Sequence, residues 1–172
     1  FMGGGLVFSG GETLSTHLSS DFRLDDPFTI AFWLKIPPRL GREQDHVILG
    51  WGREGNSWEI GCQTASGGSL VVRRNDGFQV GSTDLADGNW HHIAVRYIGN
   101  ERKLSAKSHV HLYVDGRLET IQAWTPGSPI EGQVGELRIG DLENSGFPGW
   151  IDQITVFDEA ISTERIQMLV SK

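Results

Sequence analysis

Residues 28–36 read FTIAFWLKI, and this stretch decides the fold. Successive side chains of a β-strand point to opposite faces, so strict alternation of apolar residues predicts a strand with one buried side. One side here carries Phe28, Ile30, Phe32, Leu34 and Ile36, and the other carries Thr29, Ala31, Trp33 and Lys35. Pro37 and Pro38 end the run, because proline cannot donate a hydrogen bond to a sheet ladder.

Similar short runs occur at regular spacing before and after this strand. Strands are predicted at residues 6–8, 12–18, 47–51, 58–62, 70–73, 78–81, 90–97, 109–114, 117–121, 135–139 and 150–157. Asp115-Gly116 is the strongest hairpin signal between two of them, since Gly accepts positive φ. Only the tail has helical spacing, with Ser162 as a candidate N-cap. The pattern predicts an all-β antiparallel two-sheet sandwich with one short C-terminal helix.

Composition narrows the function classes. The 172 residues fit a single domain, 1–172, and the net charge of −7 argues against nucleic acid, which binds cationic surfaces. No apolar stretch is long enough for membrane insertion. Cys62 is the only cysteine, which excludes an intrachain disulfide and fits a small buried hydrophobe.

Three further segments carry a family resemblance. Residues 89–95 read NWHHIAV, residues 111–117 read HLYVDGR, and residues 146–162 read GFPGWIDQITVFDEAIS. With residues 28–36, they resemble the strands of the laminin G-like, concanavalin A-like jelly roll, in that family's order. The chain begins and ends abruptly around this complete pattern, so we expect a domain excised from a larger exported or cell-surface protein, with any export signal outside this fragment.

Catalytic patterns are not found. Glycan-cleaving relatives of this sandwich carry clustered carboxylates such as E-x-D-x-x-E, because one carboxyl protonates the leaving oxygen while another attacks or activates water. Glu136 and Asp141 are five residues apart and would lie on opposite faces of one strand. The chain is therefore predicted not to be an enzyme. A zinc site among His91, His92, His109 and His111 is conceivable, but a surface or packing role is favoured.

Calcium is the better metal hypothesis, because it binds carboxylates together with turn carbonyls. The resemblance implies a structural ion joining the first strands to the "I-D" strand, which maps onto Glu12 and Asp152. This chain has Phe8-Ser9-Gly10 where the family often has "F-D-G", so one carboxylate is lost. The alternative is that Asp152 accepts backbone hydrogen bonds only.

Sugar recognition would use exposed aromatic faces beside polar groups. Trp33 and Trp90 are expected in the core, whereas other tryptophans flank polar or Pro/Gly-containing loops. The candidate ligand-binding residues are Trp51, Glu54, Asn56, Trp58, Asp141, Asn144 and Trp150. A packing role is the alternative for each tryptophan.

These observations favour a non-catalytic recognition module that is carbohydrate-binding or adhesive. The rival hypothesis is a structural or protein–protein interaction domain without a small ligand, and a glycan-active enzyme is a third. The expected partner is a glycan or a protein, with no nucleic acid and no membrane insertion. The oligomeric state stays open.

Overall fold

The computed structural model describes residues 5–19, 21–38, 45–53, 55–64, 67–99, 109–140 and 147–171. These residues form thirteen strands and one helix. In chain order they are β1 Leu6–Ser9, β2 Thr13–His17, β3 Phe28–Lys35, β4 His46–Arg53, β5 Asn56–Gln63, β6 Ser69–Arg74, β7 Gly77–Asp84, β8 Trp90–Tyr97, β9 Val110–Val114, β10 Arg117–Leu118, β11 Ala123–Thr125, β12 Glu136–Gly140, β13 Pro148–Phe157 and α1 Thr163–Val170.

Antiparallel pairing joins the strands into two sheets. The six-stranded sheet has the order β1-β13-β3-β8-β9-β10, and the seven-stranded sheet has the order β11-β7-β6-β5-β4-β12-β2. The last strand pairs with the first, and β12 pairs with β2, so both ends of the chain meet in the sandwich. The predicted all-β jelly-roll sandwich with a short C-terminal helix is confirmed.

The core lies between the sheets and is built on the apolar side of β3. Phe28 is at its aromatic centre, with ring centroids 5.2 Å from Trp51, 5.1 Å from Trp58 and 5.6 Å from Tyr97. The Trp58 indole N–H donates to the Leu24 carbonyl at 3.0 Å, which satisfies its one buried polar group. The predicted alternation of β3 therefore points its apolar side at the opposite sheet.

The return strand of the Asp115-Gly116 hairpin is shorter than predicted. It pairs through Arg117 and Leu118, with one more backbone hydrogen bond from the Glu119 N–H to the Leu112 carbonyl at 2.8 Å, rather than as far as Ile121. The Glu119 carboxylate accepts hydrogen bonds from the backbone N–H groups of Ser82 and Thr83, at 2.7 and 2.9 Å. These bonds to β7 direct the chain towards the other sheet and end the ladder.

The C-terminal helix begins where the sequence predicts. Ser162 has extended backbone angles, and its hydroxyl accepts from the Arg165 N–H at 3.3 Å. Ile166 is buried, and it packs with Ala31, Ala94 and Tyr113 on the outer side of the six-stranded sheet. No helix within the described residues is long and apolar enough to cross a membrane.

Candidate functional site

The outer side of the six-stranded sheet carries an unusual set of residues beyond the helix. In the ladder, Lys35 lies between Trp150 on β13 and Trp90 on β8, and Trp33 lies between Asp152 and His92. Directly paired residues of antiparallel strands point to the same face. We call this surface the aromatic face, defined by Trp33, Lys35, Trp90, Trp150 and Asp152.

Side chains of the aromatic face converge across three strands. The Lys35 ammonium lies over the Trp150 ring, 5.3 Å from its centroid. A Cβ placed on Gly5 would be 3.4 Å from Cη2 of Trp90 and 3.6 Å from the Asp152 Cβ. The Trp90 indole therefore extends from β8 past β3 towards Asp152. All three tryptophans are half-buried, so part of each indole faces solvent.

A groove of about 450 Å³ adjoins the aromatic face, between the sheet and the helix. We call it the helix groove. Its floor is formed by Ala31, Trp33 and His92, and its two walls are β13 and α1. The Trp33 ring meets the His92 ring edge-on, with centroids 5.3 Å apart. The groove is thus continuous with the aromatic face through Trp33.

A β-bulge shapes the wall formed by β13. The ladder with β3 shifts between Asp152 and Thr155, and Gln153 has a positive φ of 52°. A bulge adds one residue opposite a single partner residue, and here it places Asp152 and Thr155 on the same side of the sheet. Asp152 accepts the Gln153 N–H at 2.8 Å. The bulge also lets Ile151 and Ile154, three residues apart, both face the core.

Two adjacent histidines of β8 have opposite electrostatic surroundings. His91 Nδ1 is 2.9 Å from Asp115 Oδ2, and its Nε2 is 3.2 Å from Asp87 Oδ1. Burial opposes the charge of His91, but the hydrogen bonds and charges of Asp115 and then Asp87 outweigh it and raise its pKa. His92 is 3% exposed, and its burial lowers its pKa. His91 therefore holds a loop and a turn together, while His92 presents a neutral ring.

The structure reverses the expectation for the tryptophans. Trp51 and Trp58 are 2% and 0% exposed and stack on each other in the core, so neither can present a face to a ligand. Both hairpin strands extend further than predicted, from His46 to Arg53 and from Asn56 to Gln63, and Trp51 and Trp58 pair directly on the core-facing side. Trp33 and Trp90, expected in the core, lie on the outer side instead.

The turn between β4 and β5 requires a glycine. Gly52 has a φ of 94°, and a Cβ there would lie 2.4 Å from the Asn56 carbonyl oxygen. Asn56 itself is engaged internally, because its amide exchanges hydrogen bonds with the backbone of Glu131. These bonds give Asn56 a structural role, and its predicted ligand role stays a prediction. Glu54, Asp141 and Asn144 lie outside the described residues. Of the predicted ligand-binding set, Trp150 is on the aromatic face.

The carboxylates proposed for calcium do not fit a shared ion. Leu6 pairs with Ile151 and Ser9 pairs with Pro148. Asp152 is therefore beyond one end of this pairing and Glu12 beyond the other, about 10 Å or more apart at 3.3 Å per strand residue. Calcium binds oxygens at about 2.3–2.6 Å, so one ion cannot bind both carboxylates. The Glu12 carboxylate instead accepts the Ser9 N–H at 2.9 Å.

The four histidines considered for zinc are used separately. His109 Nδ1 bonds the Gly99 carbonyl at 2.8 Å, and the Arg96 guanidinium donates to His111 Nδ1 at 2.9 Å. Within the described part of the chain, no three His, Cys, Asp or Glu side chains are grouped closely enough to hold a metal ion.

Cys62 is buried, and burial above all raises its thiol pKa to about 12, which leaves it unreactive at neutral pH.

A known protein family matches most of the chain. A family model described as the concanavalin A-like lectin/glucanases superfamily, of the laminin G type, matches residues 8–167. The chain belongs to this superfamily. Its name covers both lectins and glucanases, so membership alone leaves binding and catalysis open. Comparison with curated proteins finds no sequence match.

Solved structures share the fold at low sequence identity. A native heptameric SAP-like pentraxin from Limulus polyphemus has a TM-score of 0.65 at 13% identity, covering 95% of this chain and 80% of the pentraxin. The botulinum neurotoxin serotype D/C binding domain has a TM-score of 0.68 at 15% identity, with 96% of this chain covered. The binding domain of Paraclostridial Mosquitocidal Protein 1 has a TM-score of 0.66 at 15% identity, also with 96% covered. The chain spans 42% of each toxin domain.

Proposed function

We propose that the aromatic face binds carbohydrate and that the chain is a non-catalytic recognition module. The observation that carries this proposal is the convergence of three half-buried tryptophans with one carboxylate and one ammonium on the outer side of a single sheet. The apolar C–H face of a pyranose stacks on an indole. Asp152 can accept hydrogen bonds from sugar hydroxyls, and Lys35 can donate to them.

Packing among the described residues leaves part of each of the three tryptophans exposed to solvent. The core-facing side chains of β3, β8 and β13 pack between the sheets, and among the described residues the helix packs on the outer side around Ala31, Ala94 and Tyr113. Tryptophan is enriched at interaction sites where part of the indole is packed and part stays in contact with water. The solved neighbours described as binding domains support a recognition role in the same general sense.

We propose binding without catalysis because the strands of the six-stranded sheet contain too few carboxylates for glycoside hydrolysis. Glycoside hydrolysis uses two carboxyl groups that flank the scissile bond. The six strands of this sheet, all within the described residues, contain a single carboxylate, Asp152. The aromatic face can therefore orient a sugar, but these strands do not supply an acid together with a base or nucleophile.

A glycan array tests the proposal. The wild type is compared with Trp150→Ala and with Trp124→Ala, a matched control in which a 39% exposed tryptophan is removed from the edge of the other sheet. We expect the array signal to fall at least tenfold for Trp150→Ala and to be unchanged for Trp124→Ala, with both variants folded by circular dichroism. An array without any binder, or binding that survives Trp150→Ala, would overturn the proposal and favour a protein-interaction role.

A structural calcium ion remains a separate prediction, and Glu12 with Asp152 is not its site. A ligand that binds only the native state must raise the melting temperature. If calcium binds elsewhere in the domain, chelation will lower Tm and added calcium will restore it. An unchanged Tm in chelator and in millimolar calcium would contradict the prediction.

We also propose that the domain belongs to a larger extracellular or cell-surface protein. The toxin binding domains of the same fold are more than twice its length, which supports an arrangement with further domains. The test is cell fractionation with an antibody against this domain. A signal confined to the cytosolic fraction would contradict the proposal.

A further inference from the structure

His91 contacts a different carboxylate with each of its two ring nitrogens. Nδ1 is 2.9 Å from Oδ2 of Asp115, in the turn after β9, and Nε2 is 3.2 Å from Oδ1 of Asp87, in the turn before β8. The side chain of His91 is 13% exposed, so these two contacts are the hydrogen bonds of a largely buried ring. One titratable side chain therefore links two turns that are distant in sequence.

Only the protonated ring can donate to both carboxylates. An ionised carboxylate accepts hydrogen bonds and donates none. Burial opposes the charge of Asp87, but the hydrogen bonds from Asn89 and then His91 outweigh it and lower its pKa. The imidazolium ring has an N–H on each nitrogen, whereas the neutral ring has one N–H and a lone pair on the other nitrogen. Loss of the proton from His91 therefore turns one of the two bonds into a contact between two acceptors.

The surrounding bonds select Asp87 as the partner that is lost. The other oxygen of Asp115, Oδ1, accepts the His92 N–H at 2.9 Å, and the Asp115 N–H donates to the His92 carbonyl at 2.8 Å. Asp115 is thus fixed to β8 whether or not the ring is charged. The bonds of Asp87 to Asn89, at 2.7 and 2.8 Å, lie within its own turn and do not hold it to the ring. The neutral ring therefore keeps its N–H at Nδ1, where the shorter bond is, and its Nε2 lone pair faces Asp87.

The same two carboxylates set the charge of the ring. Burial opposes the charge of His91, but the bonds and charges of Asp115 and then Asp87 outweigh it and raise its pKa. Leu34, its pairing partner on β3, is apolar, and His92 points to the opposite face of the sheet. Because the ordinary pKa of histidine is about 6.5 and that of His91 is raised, the ring changes charge near neutral pH.

We propose that Asp87, His91 and Asp115 form a pH-dependent latch, in which the protonated ring joins the two turns and loss of its proton releases the turn of Asp87 alone. The released turn keeps the bond from the Gly88 N–H to the Ile36 carbonyl, at 3.1 Å, so it loosens while the sheet stays paired. The latch requires no ligand, and its test on the free protein is therefore independent of the proposed carbohydrate binding.

Nuclear magnetic resonance of the free protein, from about pH 5 to about pH 9, tests the latch. The imidazole nitrogen shifts should show that neutral His91 is the Nδ1–H tautomer, which is the minor form of free histidine. As this form appears, the backbone order parameters of Gly88 and Asn89 should fall from about 0.85, typical of rigid backbone, towards about 0.6, while that of Asp115 stays unchanged. A neutral ring protonated at Nε2, or a turn that is equally rigid at both ends of the pH range, would overturn the latch.

Asp87→Asn distinguishes the latch from a general loosening of the turn at high pH. The asparagine amide can donate to the Nε2 lone pair, so the turn should stay rigid across the whole pH range. Asp84→Asn is the matched control, because Asp84 also accepts a backbone N–H two residues on, from Ala86 at 2.9 Å, in the same connection between β7 and β8.

The control variant should loosen with rising pH as the wild type does. A turn that still loosens in Asp87→Asn, or that stays rigid in Asp84→Asn, would contradict the proposal. If either variant fails to fold, the tautomer and the order parameters of the wild type decide the outcome.

Discussion

Two groups of tryptophans lie on the two sides of the six-stranded sheet, one in the core and one on the outer side. Trp51 and Trp58 stack in the core with centroids 6.2 Å apart, next to Phe28. Trp33, Trp90 and Trp150 lie half-buried on the outer side of the six-stranded sheet. The first group stabilises the fold by removing apolar area from water. The second group stays partly in contact with water, so residue type alone does not decide whether a tryptophan of this domain is fully buried.

The largest effect expected from this difference is on stability. Trp58→Ala should lower the free energy of unfolding by about 3–5 kcal/mol, because it leaves a cavity among buried aromatic rings. Urea denaturation followed by circular dichroism measures the loss. A loss below about 1 kcal/mol, typical of surface sites, would contradict the core assignment.

Trp33→Ala should lower the free energy of unfolding by less than Trp58→Ala does. Part of its indole already contacts water, so we expect a loss of about 1–2 kcal/mol, below that of a fully buried aromatic residue. The same denaturation experiment measures it beside Trp58→Ala. Equal losses in the two variants would show that the outer tryptophan is a packing residue and would weaken the case for a binding face.

The two sides of β8 differ in charge as well. Asp115→Asn keeps a residue tolerant of the positive φ of 50° at this turn and removes the charge facing His91. Because the folded pKa of His91 is raised, its pairing stabilises the fold fully below the unfolded value of about 6.5 and is lost as pH rises through the folded pKa.

Denaturation of this variant at two pH values checks the sign. Asp115→Asn should lower stability by about 1 kcal/mol at pH 5.5, the upper end for an accessible pair, and by less at pH 8. The His91 pKa measured by nuclear magnetic resonance should fall at the same time. A stability loss at pH 8 that equals or exceeds the loss at pH 5.5 would contradict the pairing of His91 with Asp115.

The smallest effect should come from Trp124. This residue is 39% exposed on the edge strand β11, so Trp124→Ala should change stability by less than about 0.5 kcal/mol. Denaturation measures it alongside the other two tryptophan variants. A larger loss of stability would mean that the exposed fraction of a tryptophan does not by itself predict the effect of removing it.

The sequence predicted the fold well because alternation and turn chemistry are local signals. The runs around Phe28, Trp90 and Val110 each specify a strand by themselves, and Ser162 specifies a helix start. The candidate site was harder, since it depends on which strands become neighbours. Trp33 and Trp150 are far apart in sequence, and only the pairing of β3 with β13 brings them to one surface.

Some signals for the site were nevertheless present. In β3, Trp33 alternates with Phe32 and Leu34, so its outward direction followed from the same pattern that predicted the core. In β13, the spacing of Ile151 and Ile154 departs from the period of two, which indicates a bulge. Trp51 was misplaced because Gly52 was interpreted as loop, whereas the ladder continues through it as far as Arg53.

The bulge at Gln153 divides β13 into two halves that can be altered independently. Its extra residue lets the half containing Trp150 and the half containing Phe157 both direct aromatic rings outward without exposing the intervening isoleucines. Substitution of Gln153 should be tolerated, but its deletion would shift the phase of the strand and send Thr155 and Phe157 into the core. For protein engineering, a single inserted position therefore separates changes to the proposed binding surface from changes to the core.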